Sequence, residues 1–204
     1  HHKLAELRFL DPACGCGNFL VITYRELRRL ELEILRTLQQ GQQVMDVDHL
    51  VLLNVDRFFG IELEEFPAQI AQVALWLVDH QMNQEISAAF GEYMVRIPLR
   101  SSATIAQGNA LRVDWQGLLP EPPPEQDGRV MRYDYILGNP PFIGSKLMNK
   151  EMREDILQVF PGLKGAGTLD YVCGWYGLAA QYMKAHGGKY TRTAFVSTNS
   201  ITQG

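Results

Sequence analysis

The chain has 204 residues, 46% hydrophobic and 21% charged, which is ample for the core of one ordinary globular domain. A net charge of −4 argues against a strong intrinsic nucleic-acid binder. No apolar stretch nears the roughly 18 to 20 residues that span a bilayer, and no signal peptide is evident, so no membrane partner and a cytoplasmic setting are expected.

The opening His1–His2 pair reads as the remnant of an expression tag. Arg8 to Asp11 is the first predicted strand. It runs into Pro12, Ala13, Cys14, Gly15, Cys16, Gly17, Asn18 and Phe19, a glycine turn followed by a helix. Glycines at 15 and 17 let the backbone approach a ligand, and the helix start behind them favours a negative group. Leu20 stands where a dinucleotide fingerprint needs its third glycine, which disfavours an NAD site. Asp11 is then available for an ammonium or a bound water. The three cysteines, Cys14 and Cys16 only one residue apart, match no zinc spacing, so no metal site is expected.

Asn18 to about Gln39 is predicted helical, with Leu20, Leu27, Leu30, Ile34 and Leu38 on one face and Gly41 at its end. The second strand is Phe58 to Leu63, and a helix opening at Pro67 carries Ile70, Val73, Ala74 and Leu77. Glu62 at the strand end can accept both hydroxyls of a ribose. Its distance from Asp11 far exceeds the roughly 20 residues of dinucleotide folds, so residues 41–56 read as an insertion. Residues 103–107 form a third strand, followed by Gly108, Asn109 and Ala110; an Asn amide can accept from an adenine amine and donate to a ring nitrogen. The Pro-rich run 119–125 reads as a stiff surface loop.

The fourth strand, Tyr135 to Gly138, ends in Asn139, Pro140, Pro141 and Phe142. Two prolines stiffen the turn and leave carbonyls without competing N–H donors. The Asn139 side-chain oxygen and the Pro140 carbonyl can accept both hydrogens of an exocyclic amine, leaving its lone pair free, while Phe142 offers a stacking face. Gly144, Ser145 and Lys146 follow as a candidate mobile lid. Leu169 to Lys184 is a further helix with Asp170 in its first turn, stopped by Gly187 and Gly188, and Thr193 to Thr198 is a fifth strand. Residues 143–192 hold seven Lys or Arg against four acids, whereas residues 1–142 sum to −7, so the basic part follows the Asn139 quartet. Strands alternating with helices imply an α/β fold, a doubly wound and mostly parallel sheet whose ligands sit at the carboxyl ends of its strands.

Read together, DPACGCGNF and NPPF resemble the cofactor and catalytic loops of S-adenosylmethionine-dependent amino-methyltransferases of the adenine-N6 DNA type. FLDPACGCGNFLV, YDYILGNPPFIG, LDYV and FVSTNSITQG resemble more narrowly the methyltransferase part of MmeI-like type IIL restriction-modification enzymes, over residues 9–204. The resemblance implies a class I, Rossmann-like methyltransferase fold that stops after its fifth strand, so that residues 3–204 are a partial catalytic domain without target-recognition or nuclease domains. It implies S-adenosylmethionine as cofactor and double-stranded DNA as partner within a restriction-modification system. By the same resemblance, Asp11, Pro12, Ala13, Gly15, Gly17, Asn18, Phe19, Glu62, Asn109 and Ala110 bind the cofactor, and Asn139, Pro140, Pro141 and Phe142 carry the chemistry. Asn109 departs from the pattern, which usually places an acid there, and Asp170 is implied to shape the target pocket. Alternatives are an amino-methyltransferase acting on protein glutamine or RNA guanine, and a fragment too incomplete to catalyse alone.

Overall fold

The computed structural model describes residues 1–38, 49–91, 102–121 and 131–202. The expected helix end at Gly41, the first half of the insertion (residues 41–48) and the Pro-rich run beyond Glu121 lie outside these residues. In chain order the elements are α1 (His2–Glu6), β1 (Phe9–Asp11), α2 (Asn18–Leu38), β2 (Phe58–Glu62), α3 (Glu65–Phe90), β3 (Thr104–Gln107), β4 (Tyr135–Gly138), α4 (Lys150–Val159), α5 (Cys173–Tyr182) and β5 (Arg192–Phe195). The five strands form one sheet in the order β3-β2-β1-β4-β5, every pairing parallel. None of the described helices is long and apolar enough to cross a membrane.

Strand polarity explains the layering. β1 is buried on both faces and β2 nearly so, as expected of central parallel strands, while the edge strands β3 and β5 are half exposed. Phe9 and Phe58 point to one face and pack with Leu20 and Tyr24 of α2 and Ala71, Leu75 and Met82 of α3. Leu10, Phe59, Ile61 and Ile136 point to the other and pack with Ile156 of α4 and Trp175 and Tyr182 of α5. Phe9 stacks on Phe58 at 4.9 Å and on Tyr135 at 5.2 Å, a ladder across three neighbouring strands. The sheet is doubly wound, with the strand order reversing between β1 and β4.

The helix α2 is where expected, but its buried face is different. Leu30 and Leu38 are 45% and 63% exposed, and the buried positions are Leu20, Tyr24, Arg28, Glu31, Leu32 and Leu35. Likewise Val73 and Leu77 of α3 are exposed, while Ala71, Leu75, Val78, Asp79, Met82 and Asn83 are buried. The reason is a polar cluster between the two helices. Arg28, fully buried, donates to Tyr24 Oη at 2.6 Å, Asp79 Oδ1 at 2.8 Å and Asn83 Oδ1 at 2.7 Å, and lies 3.3 Å from Glu31. Glu31 in turn accepts the backbone N–H groups of Leu52 and Leu53, tying the segment before β2 to α2. Paired charges can occupy core positions, so a count of apolar residues alone selects the wrong stripe.

Two more differences are local. The helix expected from Leu169 begins at Cys173 and ends in a π-helical turn over Met183–Gly187, and the fifth strand closes at Phe195. α4 has no counterpart in the expected elements. Its signal is present: Asn149 caps it by accepting from Met152 N at 2.8 Å, and Glu151 sits in its first turn.

Candidate active site

The carboxyl ends of β1, β2, β3 and β4 meet along one rim, and the loops leaving them carry the residues singled out above. After Asp11 the chain turns back on itself. Ala13 N donates to Asp11 Oδ1 at 3.0 Å, Cys14 N to Ile61 O at 3.0 Å, and Gly17 N to Cys14 O at 2.8 Å. Gly17 has φ +85, a left-handed conformation that disfavours a side chain, and an added Cβ there would press on Ala71 at 3.1 Å. Asn18 and Phe19 then open α2 with exposed side chains. Pro12 is buried, and its carbonyl accepts the Trp175 indole N–H at 2.9 Å, a bond from α5 that fixes the loop from behind.

Glu62 at the tip of β2 closes the turn from the other side. Its Oε2 accepts Gly15 N at 2.9 Å and its Oε1 accepts Glu64 N at 3.0 Å. A carboxylate has about four lone-pair sites, so each oxygen keeps acceptor capacity. Asp11 lies nearby, 1% exposed, with Oδ2 lacking a hydrogen-bond partner. Burial first and the Glu62 charge second push its pKa up to about 7, against the pull of the Ala13 amide. Two carboxylates at a glycine turn repel a pyrophosphate and attract a cation.

The loop after β4 abuts this turn. An added Cβ at Gly138 would collide with Asp11 Oδ1, so glycine there is the condition for the two loops to meet. Asn139 is exposed and makes no hydrogen bond among the described residues; Pro140 is buried, Pro141 exposed, and Phe142 46% exposed. The Asn139 amide and the Phe142 ring are thus accessible, in the loop that begins where Gly138 meets Asp11. The glycine turn and the proline pair face the same end of the molecule.

Asn109 is placed differently from the simple reading. Its Oδ1 accepts Leu111 N at 2.9 Å and its Nδ2 donates to Asp155 Oδ2 at 2.8 Å, so both ends of the amide are already engaged by the protein. Ala110 has a buried methyl and a carbonyl that accepts the Trp115 indole N–H at 2.9 Å. The stretch expected to move as a lid is held: Tyr171 N donates to Ile143 O at 2.9 Å, Ser145 N to Asp170 Oδ1 at 3.0 Å, and Arg153 Nη2 to Ser145 O at 2.9 Å. Asp170 precedes α5 instead of lying in its first turn. Trp175, Tyr171, Asp155 and Arg153 also position these loops; the first three act on loops distant in the chain, and Arg153 on Ser145 eight residues before it, and apart from Tyr171 within LDYV no motif marks any of them. Among the described residues no group of three or more His, Cys, Asp or Glu is placed to hold a metal ion.

A groove of about 380 Å³, lined by Arg112, Trp115, Gln181, Tyr182 and His186 among others, lies on the α5 flank and includes none of the rim residues.

Comparison with known proteins agrees with this geometry. The family described as "MmeI, DNA-methyltransferase domain" matches residues 1–204. DNA methyltransferase A of Bacillus subtilis (strain 168) is 38% identical over 205 residues, covering 99% of this chain and 22% of that protein. The adenine-specific methyltransferase BrxX of Escherichia coli O9:H4 (strain HS) is 29% identical over 80 residues, covering 39% of this chain and 6% of that protein. Among solved structures, the type IIL restriction-modification enzyme MmeI in complex with DNA superposes with a TM-score of 0.89 at 56% identity, covering 100% of this chain and 26% of that one. The chain thus spans about a quarter or less of the length of these relatives.

Proposed function

The chain belongs to the family of MmeI DNA-methyltransferase domains, and from that premise we propose that it transfers a methyl group from S-adenosylmethionine to the N6 amine of adenine in DNA, in the cytoplasm and within a restriction-modification system. The observation that carries this reading is the meeting of Asp11 and Gly138, which sets the glycine turn and the Asn-Pro-Pro-Phe loop side by side at the point where strand order reverses.

The residues present fit the cofactor. Asp11 has an orphaned, buried Oδ2 suited to an ammonium or to a water that bridges to one. Glu62 retains lone pairs for ribose hydroxyls, and the turn over Gly15 and Gly17 lets backbone amides approach. Pro12, Ala13, Asn18 and Phe19 wall this side, with Asn109 and the backbone of Ala110 toward the base. Bound there, S-adenosylmethionine supplies an electrophilic methyl on a sulfonium. The rest falls to the loop after β4: Phe142 stacks against an adenine turned out of the duplex, at a cost of a few kcal/mol, and Asn139 Oδ1 with the Pro140 carbonyl accepts its two amine hydrogens. That arrangement would leave the nitrogen lone pair free of hydrogen bonding and stabilise the positive charge that develops on the amine until its surplus proton passes to solvent. Catalysis then rests on positioning and electrostatics.

The test is nucleoside mass spectrometry of duplex DNA incubated with the natural polypeptide and S-adenosylmethionine. N6-methyladenine is the expected product, reduced at least about a hundredfold by Asn139→Ala. Methylation of cytosine, or of protein or RNA in preference to DNA, refutes the assignment.

A further inference from the structure

One buried carboxylate touches neither loop's proposed ligand yet joins the two loops. Asp155 of α4 is 2% exposed and accepts three hydrogen bonds: from Asn109 Nδ2 at 2.8 Å, from Arg112 Nε at 2.6 Å and from Tyr171 Oη at 2.9 Å. Asn109 and Arg112 belong to the loop after β3, on the cofactor side. Tyr171 belongs to the segment that holds the loop after β4, through its own N–H to Ile143 O and through the neighbouring Asp170 to Ser145 N. The path from one proposed binding loop to the other is therefore a continuous set of hydrogen bonds: Asn109 to Asp155, Asp155 to Tyr171, Tyr171 to Ile143.

The arrangement is more specific than core packing requires. Burying a carboxylate is costly unless it is hydrogen-bonded, but hydrogen bonds from local backbone would offset that cost. Here all three donors are side chains, two from one loop and one from the segment bracing the other. The Tyr171 hydroxyl is held as a donor to Asp155, its pKa pushed up to about 12 by burial and by that bond.

We propose that Asp155 is a positioning residue that couples the two halves of the cleft: its hydrogen bonds hold the loop after β3 and the segment bracing the loop after β4 in one arrangement, so a ligand that tightens either loop tightens the other. This rests on the function proposed above for its ligands, but the connection itself is a matter of the residues. The physical basis is that ordering a shared group costs conformational entropy once, so a second ligand meets a smaller cost and the sites become cooperative without a large movement.

Tyr171→Phe is the sharpest probe, since it deletes one hydroxyl and keeps the ring. In the natural polypeptide, S-adenosylhomocysteine is expected to slow hydrogen exchange of the Ser145 and Leu147 amides in the wild type, and to do so little or not at all in Tyr171→Phe and in Asp155→Asn. With a DNA duplex that the wild type binds, the affinity for S-adenosylhomocysteine is expected to rise at least about fivefold, and that factor to fall toward one in both variants. Circular-dichroism melting separates this from unfolding: a variant that melts like the wild type yet loses the factor supports the coupling. Loop amides that ignore S-adenosylhomocysteine in the wild type, or a coupling factor unchanged in Tyr171→Phe, overturn it. A wild type that binds S-adenosylhomocysteine with full coupling but methylates no DNA refutes the assigned substrate and leaves the coupling standing.

Discussion

Asp11→Asn tests whether the strand-tip carboxyl is a buried acid that becomes a useful anion only beside a cation. In the folded chain this carboxyl rises from an ordinary value of 3.8 to about 7, chiefly through burial and then through Glu62. Between about pH 4 and pH 7 the folded state consequently holds a proton that the unfolded chain has released. Stability must then fall as pH rises through that window and level off above it. At about 1.36 kcal/mol per decade of pKa, the fall is on the order of 4 kcal/mol as an upper bound. Asn at this position can keep the bond from Ala13 N and carries no charge, but its amide donor has no evident acceptor, a fixed cost of about 1–3 kcal/mol. The difference between the two proteins should thus vary with pH: the wild type loses about 2–4 kcal/mol relative to Asp11→Asn between about pH 5 and about pH 8. Urea unfolding of both chains across that range measures it. The ligand arm has the opposite sign, because a cation binds the deprotonated form: S-adenosylmethionine affinity should rise through about pH 7 in the wild type, with proton release visible by calorimetry in two buffers. Parallel stability curves, or an Asp11→Asn protein whose binding keeps the same pH dependence, would refute the account.

Arg28→Met should cost about 3–5 kcal/mol in denaturant unfolding, since it strands Asp79 and Glu31 without their buried cation; a loss below about 1 kcal/mol would mean water reaches the cluster. Gly138→Ala should destabilise by about 1–3 kcal/mol through overpacking against Asp11 and remove S-adenosylhomocysteine binding, as read by calorimetry; wild-type affinity would show that the two loops need not touch. Trp175→Phe deletes the N–H bonded to Pro12 O, with an expected cost of about 0.5–1.5 kcal/mol and a matching drop in cofactor affinity; if unfolding shifts while affinity stays constant, Trp175 serves the core alone.

The alternating strands and helices, the glycine turn after β1 and the proline quartet after β4 were legible in the chain because their physics is local. Left-handed glycines, rigid prolines and apolar runs act on neighbouring residues, and so they mark where Gly15, Gly17 and Asn139 to Phe142 lie whatever packs around them. The buried faces of α2 and α3 were not legible: Arg28 and Asp79 enter the core only because they meet each other across 51 residues of chain, and neither side chain reveals its partner. The same limit hid the commitment of Asn109 to Asp155 and of Trp175 to Pro12. Asp11 announced itself as an acid at a strand end, but its displaced pKa and its place against Gly138 depend on the parallel pairing of β1 with β4. Residue type and spacing determine which groups a segment offers; burial and long-range pairing determine which remain free to bind, because desolvation and hydrogen-bond satisfaction are properties of neighbours that the chain order does not name.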